Sequence, residues 1–354
     1  MTRATAIRLN WGKAAKYAPS VSATENVLPS SLGLQNADPE LTATVVDGLR
    51  RVEDLLRSAV HSDFDFVDEA ALHLVRAGGK RFRPLFTLVA AQFNDGTTDQ
   101  VVAAAAAVEL VHLATLYHDD VMDEATMRRG DASANARWDN SVAILTGDFL
   151  FAHASMLVAD LGPTATRVIA ETMRELVTGQ MRETVGPRDD DPIEHYLSVI
   201  AQKTGSLIAT AGRYGAMFSG ADAAQTEALH RVGEIIGAAF QISDDVIDIA
   251  SPAAESGKTP GTDLREGVRT LPMLYALAED PDPRLAKLLA GPITDDDQVA
   301  EALELLRVSP GLERARQTLD DYAARADAEL ATLPDTPARE ALHQLTRYVV
   351  ARTH

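Results

Sequence analysis

Aspartates recur twice in the pattern Asp-Asp-x-x-Asp: Asp119, Asp120 and Asp123 within LYHDDVMDEA, and Asp244, Asp245 and Asp248 within FQISDDVIDIA. On a helix, residues four apart share a face. Asp119 therefore stacks on Asp123 and Asp244 on Asp248, with Asp120 and Asp245 about 100° round the axis. Like charges at that spacing repel unless a cation sits against them. Hard oxygen ligands presented this openly suit Mg²⁺, which shares its coordination sphere with water and substrate phosphates. Two such faces opposed across a cavity would clamp a diphosphate. The competing reading is a solvated acidic helix face. The flanks count against it: Leu110, Val111, Leu113, Leu116 and Tyr117 precede the first cluster, while Ile235, Ile236, Phe240, Ile242, Val246, Ile247 and Ile249 surround the second. Both clusters thus lie along buried helices, where acids need partners.

The cations matter by position. Gly78-Gly79-Lys80-Arg81-Phe82-Arg83-Pro84 sets two glycines before three cations at a loop-to-helix junction, where free backbone N–H groups already favour an anion. Lys80 adds point charge and Arg83 a bidentate fork. Such a stretch can equally be a solubilising turn. A second basic pair, Arg128-Arg129-Gly130, follows the first Asp cluster by about one helical turn. Two anion sites are then implied, one metal-bound and one metal-free.

The elements that must position these groups are helices. From about residue 39 onward the apolar spacing is helical almost throughout, and no alternation long enough for a strand stands out. The expected fold class is all-α. Breaks are expected at Ala77-Gly78-Gly79, Asn94-Asp95-Gly96, Arg129-Gly130-Asp131, Leu161-Gly162-Pro163, Gly186-Pro187 through Pro192, and Ser219-Gly220. The Pro-, Gly- and charge-rich stretch from Ser251 to Arg269 follows directly on the second Asp cluster and is a candidate lid. From about Thr294 to Arg352 the chain reads as amphipathic outer helices. The flanks of the two Asp motifs do not otherwise match, so they are not an internal repeat.

With 354 residues and 46% hydrophobic content the chain can bury a large single core. A formal net charge of −19 argues against nucleic acid as a partner. The absence of cysteine excludes disulfides, thiolate metal sites and cysteine nucleophiles, and fits a reducing, cytoplasmic location. No apolar run is expected to approach the roughly 20 residues that span a bilayer. Residues 1–24 carry Arg3, Arg8, Lys13 and Lys16 and no acid. They read as part of a flexible arm over residues 1–38, with a transit-like segment or a weak membrane-surface contact as the other readings. The domain proper is expected over residues 39–354.

The ordered set GGKRFRP, LYHDDVMDEATMRRG, GDFL at Gly147 to Leu150, GQMRE at Gly179 to Glu183, KTG at Lys203 to Gly205, FQISDDVIDI, and GKTPGTDL at Gly257 to Leu264 closely resembles the trans-prenyltransferases, the all-trans polyprenyl diphosphate synthases. The resemblance covers about residues 40–350. It implies a single-domain helical bundle around a central cavity, the isoprenoid synthase fold, usually assembled as a homodimer. The activity implied is Mg²⁺-dependent condensation of an allylic diphosphate with isopentenyl diphosphate, with two to three ions per site. By that likeness Asp119, Asp123 and Asp244 are direct metal ligands, and Asp120, Asp245 and Asp248 complete the clusters. Arg128, Lys203, Thr204, Gln241 and Lys258 hold the allylic substrate; Lys80, Arg83, His112 and Arg129 bind the diphosphate of isopentenyl diphosphate. His112 also has the plain reading of a satisfied core histidine. Glu183 and Asp263 stand where relatives carry acids. One departure is visible: in EGVRTLP many relatives have Lys where Val268 stands, with Arg269 following.

In such chemistry the allylic C–O bond ionises, and the double bond of isopentenyl diphosphate attacks the cation. Arg128, Lys203 and Lys258 stabilise the departing diphosphate alongside the metal, and no side-chain nucleophile is needed. Product length should follow what lines the cavity below the first Asp cluster. Short-chain relatives commonly place a bulky aromatic five residues before that motif, where this chain has Ala114. Val111, Leu110 and the run Ala103 to Ala107 continue the small or medium surface. A deep tunnel and a long product for a quinone side chain are expected, although the alanine run also has the reading of helix propensity and close packing. A geranylgeranyl diphosphate synthase, a terpene cyclase and an inactive synthase subunit are the alternatives. Transient contact with a membrane surface would serve product release.

Overall fold

The helical spacing of the apolar residues is realised almost without interruption. The computed structural model describes residues 34, 36–250, 260–279 and 282–352. In chain order the helices are α1 (Pro39–Ala59), α2 (Asp65–Arg76), α3 (Phe82–Ala91), α4 (Asp99–Met122), α5 (Ala134–Arg137), α6 (Asn140–Asp160), α7 (Pro163–Val185) and α8 (Pro192–Ile200). A π-helical turn, Ala201–Gly205, leads into α9 (Ser206–Phe218) and then α10 (Ala223–Ala250). Six more follow: α11 (Thr262–Glu266), α12 (Leu271–Glu279), α13 (Pro283–Leu288), α14 (Asp296–Val308), α15 (Pro310–Leu330) and α16 (Pro337–Ala351). Side-chain caps fix several starts. Asp38, Thr98, Asp139 and Asp191 each accept from amides of the first turn, an interaction worth about 1 kcal/mol apiece.

Helix α4 is the axis of the bundle. Ala104 to Ala107 are fully buried, and their small side chains let α1, α3, α6 and α9 pack around the helix. Helix α10 lies against α9 and α15, so the two Asp motifs ride on two long, separately packed helices.

The expected breaks carry the backbone signature of turns: Gly78, Gly79, Gly96, Gly130, Gly162, Gly186 and Gly220 all have positive φ. The all-α expectation holds with one addition. Met127–Arg128 pairs antiparallel with Asp131–Ala132, in the register Met127 to Ala132 and Arg128 to Asp131. The two residues between the strands, Arg129 (φ 53°) and Gly130 (φ 81°), are both left-handed, as a tight hairpin turn requires.

The expectation about apolar runs is corrected. Both α4 and α6 are long and apolar enough to cross a membrane by length and composition. For α4 the reason is its place in the core. Helix α6 is less enclosed and leaves Leu145 (66%) and Met156 (63%) exposed. The packed body also reaches further toward the N-terminus than residue 39: Leu34 is buried in the core, and the Asn36 carbonyl accepts from Gln344 Nε2 at 3.4 Å. Most of the expected arm lies outside the described residues. So does the first part of the expected lid, residues 251–259. Its described part forms the short helix α11, whose Leu264 is buried and whose Leu264 carbonyl accepts from the Ile293 amide.

Candidate active site

A cavity of about 880 Å³ opens among α4, α6, α7, α9 and α10, with the Lys80–Arg83 turn at one corner. Its lining divides by chemistry. Leu116, Phe151, Met173, Leu176, Val177 and Ile208 make an apolar wall. At the polar end stand Asp119, Asp244, Lys203, Thr204, Gln241, Arg128 and the cations of the turn.

Asp119 faces the cavity from the last turn of α4, and Asp123 is exposed at the C-cap of that helix. Carboxylates at a helix C-terminus meet an unfavourable dipole. Burial above all, with the charges of Asp123 and Glu183, lifts the Asp119 pKa to about 6 against the opposing pull of Lys203 and Arg128. Asp120 has turned the other way. It is fully buried, is not among the lining residues, and accepts from Arg128 Nε at 2.6 Å, while its second oxygen has no hydrogen-bond partner.

The second cluster is divided three ways. Asp244 borders the cavity and is ion-paired with Arg352. Asp245 is buried; it accepts from the Tyr196 hydroxyl and from Gln241 Nε2 at 3.2 Å. Burial pushes its pKa to about 7. Asp248 accepts from the amides of Thr262 and Asp263 at 3.2 and 3.3 Å, which ties α10 to the start of α11. Thr204 donates to Gln241 Oε1 at 3.3 Å, completing a chain from the π-helical turn to Asp245. That widened turn brings Lys203 to the cavity, where its ammonium meets Glu183 at 2.5 Å.

The glycine pair explains the cationic corner. A Cβ on Gly79 would lie 2.8 Å from the Arg129 guanidinium carbon, so only glycine lets Arg129 cross there. Arg129 donates to the carbonyls of Gly78 and Leu74. Arg83 borders the cavity with its Nε unpaired, and burial lowers its pKa to about 10. His112 lies beside it. Its pKa is held well below the ordinary value, first by burial and then by the charges of Arg83, Arg129, Arg81 and Arg128, so the imidazole is neutral at physiological pH. Lys80 lines the same corner and is exposed.

The structure thus gathers Lys80, Arg83, His112, Asp119, Arg128, Arg129, Lys203, Thr204, Gln241 and Asp244 around one cavity. Ala114 and Val111 stand apart from it. Both are essentially fully buried, and neither is among the residues lining the cavity; the Ala114 carbonyl instead faces Gly147 of α6. The apolar residues that do meet the cavity include Leu116 of α4, beside Thr115, and side chains of α6, α7 and α9. Val268 and Arg269 are both exposed. Lys258 lies outside the described residues.

Several site residues went unread in the sequence. Glu109 is a buried carboxylate at the cationic corner. A lone acid within the apolar run of α4 was a signal that could have exposed it. Glu266 lies within electrostatic reach of Asp123, Asp248, Arg128 and Lys203. His118 also borders the cavity, its Nε2 3.2 Å from the Ile144 carbonyl and 3.4 Å from Asp148. Gly147 is needed for that, because a Cβ there would fall 2.3 Å from His118 Nε2.

Among the described residues no three acidic or histidine side chains already converge to hold a metal ion. The donor set still fits a divalent ion that brings water and phosphate oxygens with it. Asp119 and Asp244 face the same cavity, the charge around Asp119 calls for a cation, and an oxygen of Asp120 is buried without a partner.

Residues 65–306 match the polyprenyl synthetase family. A nonaprenyl diphosphate synthase of Mycobacterium tuberculosis (strain ATCC 25618 / H37Rv) is 56% identical over 324 residues, 90% of this chain and 97% of that protein. A dimethylallyltranstransferase of the same organism is 50% identical over 318 residues, 89% of this chain and 97% of that one. The crystal structure of a geranylgeranyl pyrophosphate synthase from Corynebacterium glutamicum, complexed with calcium and isoprenyl diphosphate, is 54% identical. It superimposes with a TM-score of 0.81 over 89% of this chain and 98% of that one. Paired aspartates facing one cavity, a separate cationic corner and these likenesses lead to one conclusion: the chain belongs to the polyprenyl synthetase family, prenyltransferases of isoprenoid synthase fold that act with divalent metal ions on isopentenyl and allylic diphosphates.

Proposed function

We propose that this prenyltransferase adds isopentenyl units repeatedly to an allylic diphosphate, giving a long-chain all-trans polyprenyl diphosphate for a quinone side chain. The observation that carries this reading is the cavity itself, where two differently built anion sites adjoin an apolar wall of five or more side chains. Mg²⁺ is the proposed metal, two to three ions per site, with Asp119, Asp123 and Asp244 as direct ligands. Asp120, Asp245 and Asp248 act through water or by orienting their neighbours. When bound, the metal neutralises the charge that grows on the diphosphate oxygens as the C–O bond ionises.

The protein's own groups do the rest. Arg128 and Lys203 flank the allylic diphosphate, with Thr204, Gln241 and Lys258 completing its grip. Lys80, Arg83 and Arg129 hold isopentenyl diphosphate, and neutral His112 offers a hydrogen bond without adding charge. No cysteine exists to trap the carbocation, and the proton lost after C–C bond formation passes to the departing diphosphate.

The exposed apolar residues of α6 support assembly as a homodimer, since large apolar surface seeks cover. A cytoplasmic enzyme that touches a membrane surface briefly to release its product is consistent with that assembly. A product as short as geranylgeranyl diphosphate is the second reading, favoured by the likeness to the corynebacterial synthase. A terpene cyclase would have no use for the metal-free corner, and an inactive subunit would not keep both Asp sets. The test is incubation of purified protein with Mg²⁺, labelled isopentenyl diphosphate and, separately, dimethylallyl, geranyl, farnesyl and geranylgeranyl diphosphate, followed by sizing of the products. Products no longer than geranylgeranyl diphosphate select the second reading, and cyclic hydrocarbons or no product reject elongation.

A further inference from the structure

The metal-free diphosphate site contains a carboxylate of its own. Glu109 reaches from α4 into the cationic corner, where it is 1% exposed and borders the cavity. It accepts from Arg81 Nη1 at 3.0 Å and lies 3.9 Å from Arg129 Nη2. Its charge also acts on Arg83. An anion in an anion site must weaken that site, because it cancels part of the attraction the guanidiniums exert on an incoming diphosphate.

Anchoring Arg81 does not account for Glu109 on its own. Arg81 is also held by Glu53 and by the carbonyls of Val75 at 2.9 Å and Gly78 at 3.3 Å. Glu53 is not among the cavity's lining residues; Glu109 is. Of the two acids on Arg81, the one facing the substrate site is therefore Glu109.

The elongation chemistry supplies a use for a weakened site, and the inference rests on that reading. Each condensation forms a bond between the allylic carbon and the terminal methylene of isopentenyl diphosphate. It breaks the allylic C–O bond, releases diphosphate from the metal side and loses one proton. The product keeps the diphosphate that isopentenyl diphosphate brought, and that group starts in the metal-free corner. It must cross to the Asp clusters before the next unit can add. We propose that Glu109 is a positioning residue that sets the strength of the metal-free corner, holding it weak enough for the elongated diphosphate to leave for the metal side.

Glu109→Gln tests this, because Gln keeps an acceptor for Arg81 while removing the charge. Calorimetric titration with inorganic pyrophosphate in EDTA reads the metal-free corner alone. The dissociation constant is expected to fall by about three- to thirtyfold. The KM for isopentenyl diphosphate should fall with it, while kcat drops and the products shorten. A structural role would move KM and the dissociation constant upward, and unchanged or weaker pyrophosphate binding overturns the proposal. Glu53→Gln is the control and should leave pyrophosphate binding as it is. Should Glu109→Gln not fold, Glu109→Asp decides: it keeps the charge and draws back from Arg81, so unaltered affinity supports the proposal and weakened affinity overturns it. Wild-type protein that makes long products, beside a Gln variant that binds pyrophosphate no tighter, sinks this inference alone. Wild-type protein that elongates nothing sinks the proposed function.

Discussion

Arg352 is ion-paired with Asp244 and lies over the Phe240 ring, 4.8 Å from its centroid, and 6.0 Å from that of Tyr348. A cation therefore already rests against a carboxylate proposed to ligate the metal. Arg352→Met keeps apolar bulk on Phe240 and removes the competitor. Titration of Mg²⁺ into substrate-free protein should then show about threefold tighter binding or more, as expected when a screened charge is withdrawn. Equal affinity in both proteins would show that the pair and the metal do not compete.

Asp119→Asn and Asp244→Asn preserve shape and lose the ligand charge. Turnover is expected to fall by a factor on the order of 10²–10³ or more, the usual loss when a group stabilising transition-state charge is removed. Circular dichroism should remain that of the parent. Wild-type turnover in either variant would remove the metal clamp.

The pH dependence of stability has a definite sign. Asp119 and Asp245 have pKa values raised to about 6 and about 7, against 3.8 for the ordinary carboxyl. Between about pH 4 and 7 the folded protein holds protons that the unfolded chain has released, so these two groups lower stability as pH rises through that window. In EDTA at pH 8, Asp245→Asn should therefore melt above the parent, and below about pH 4 the difference should vanish. A melting difference that does not change with pH would refute the titration.

Met173 borders the cavity and Ala114 does not. Met173→Trp should shorten the products while sparing the first condensation, which product sizing checks directly. Ala114→Phe forces an aromatic ring into a closed contact with α6 and is expected to cost about 1–3 kcal/mol of stability, read as a lower melting temperature. Unaltered products from Met173→Trp would clear this wall of any part in chain length.

Local signals carried much of this site. The two Asp motifs, the glycine pair and the Arg128-Arg129 step were legible because each depends on near neighbours: four-residue helical spacing, or a turn that demands positive φ. The division of labour inside each motif was not. Asp120 and Asp245 turn from the cavity because Arg128 and Tyr196 meet them, and Tyr196 arrives from 49 residues away. Arg352 reaches Asp244 across 108 residues, a separation that spacing cannot reveal. The hairpin escaped notice because two-residue strands leave no alternation to read, and the burial of Ala114 away from the cavity lining was not legible because identity at one position does not say which way a helix faces.

That hairpin has a mechanical meaning. Arg128 reaches the Asp120 carboxylate, while the next residue, Arg129, reaches the Gly78 carbonyl. Adjacent Cα atoms are separated by one peptide, about 3.8 Å. The span between these two contacts is thus tied to a covalent length, and a shift of the tip carries both ends together. Inserting a single residue between the two arginines would alter this ruler without touching either grip.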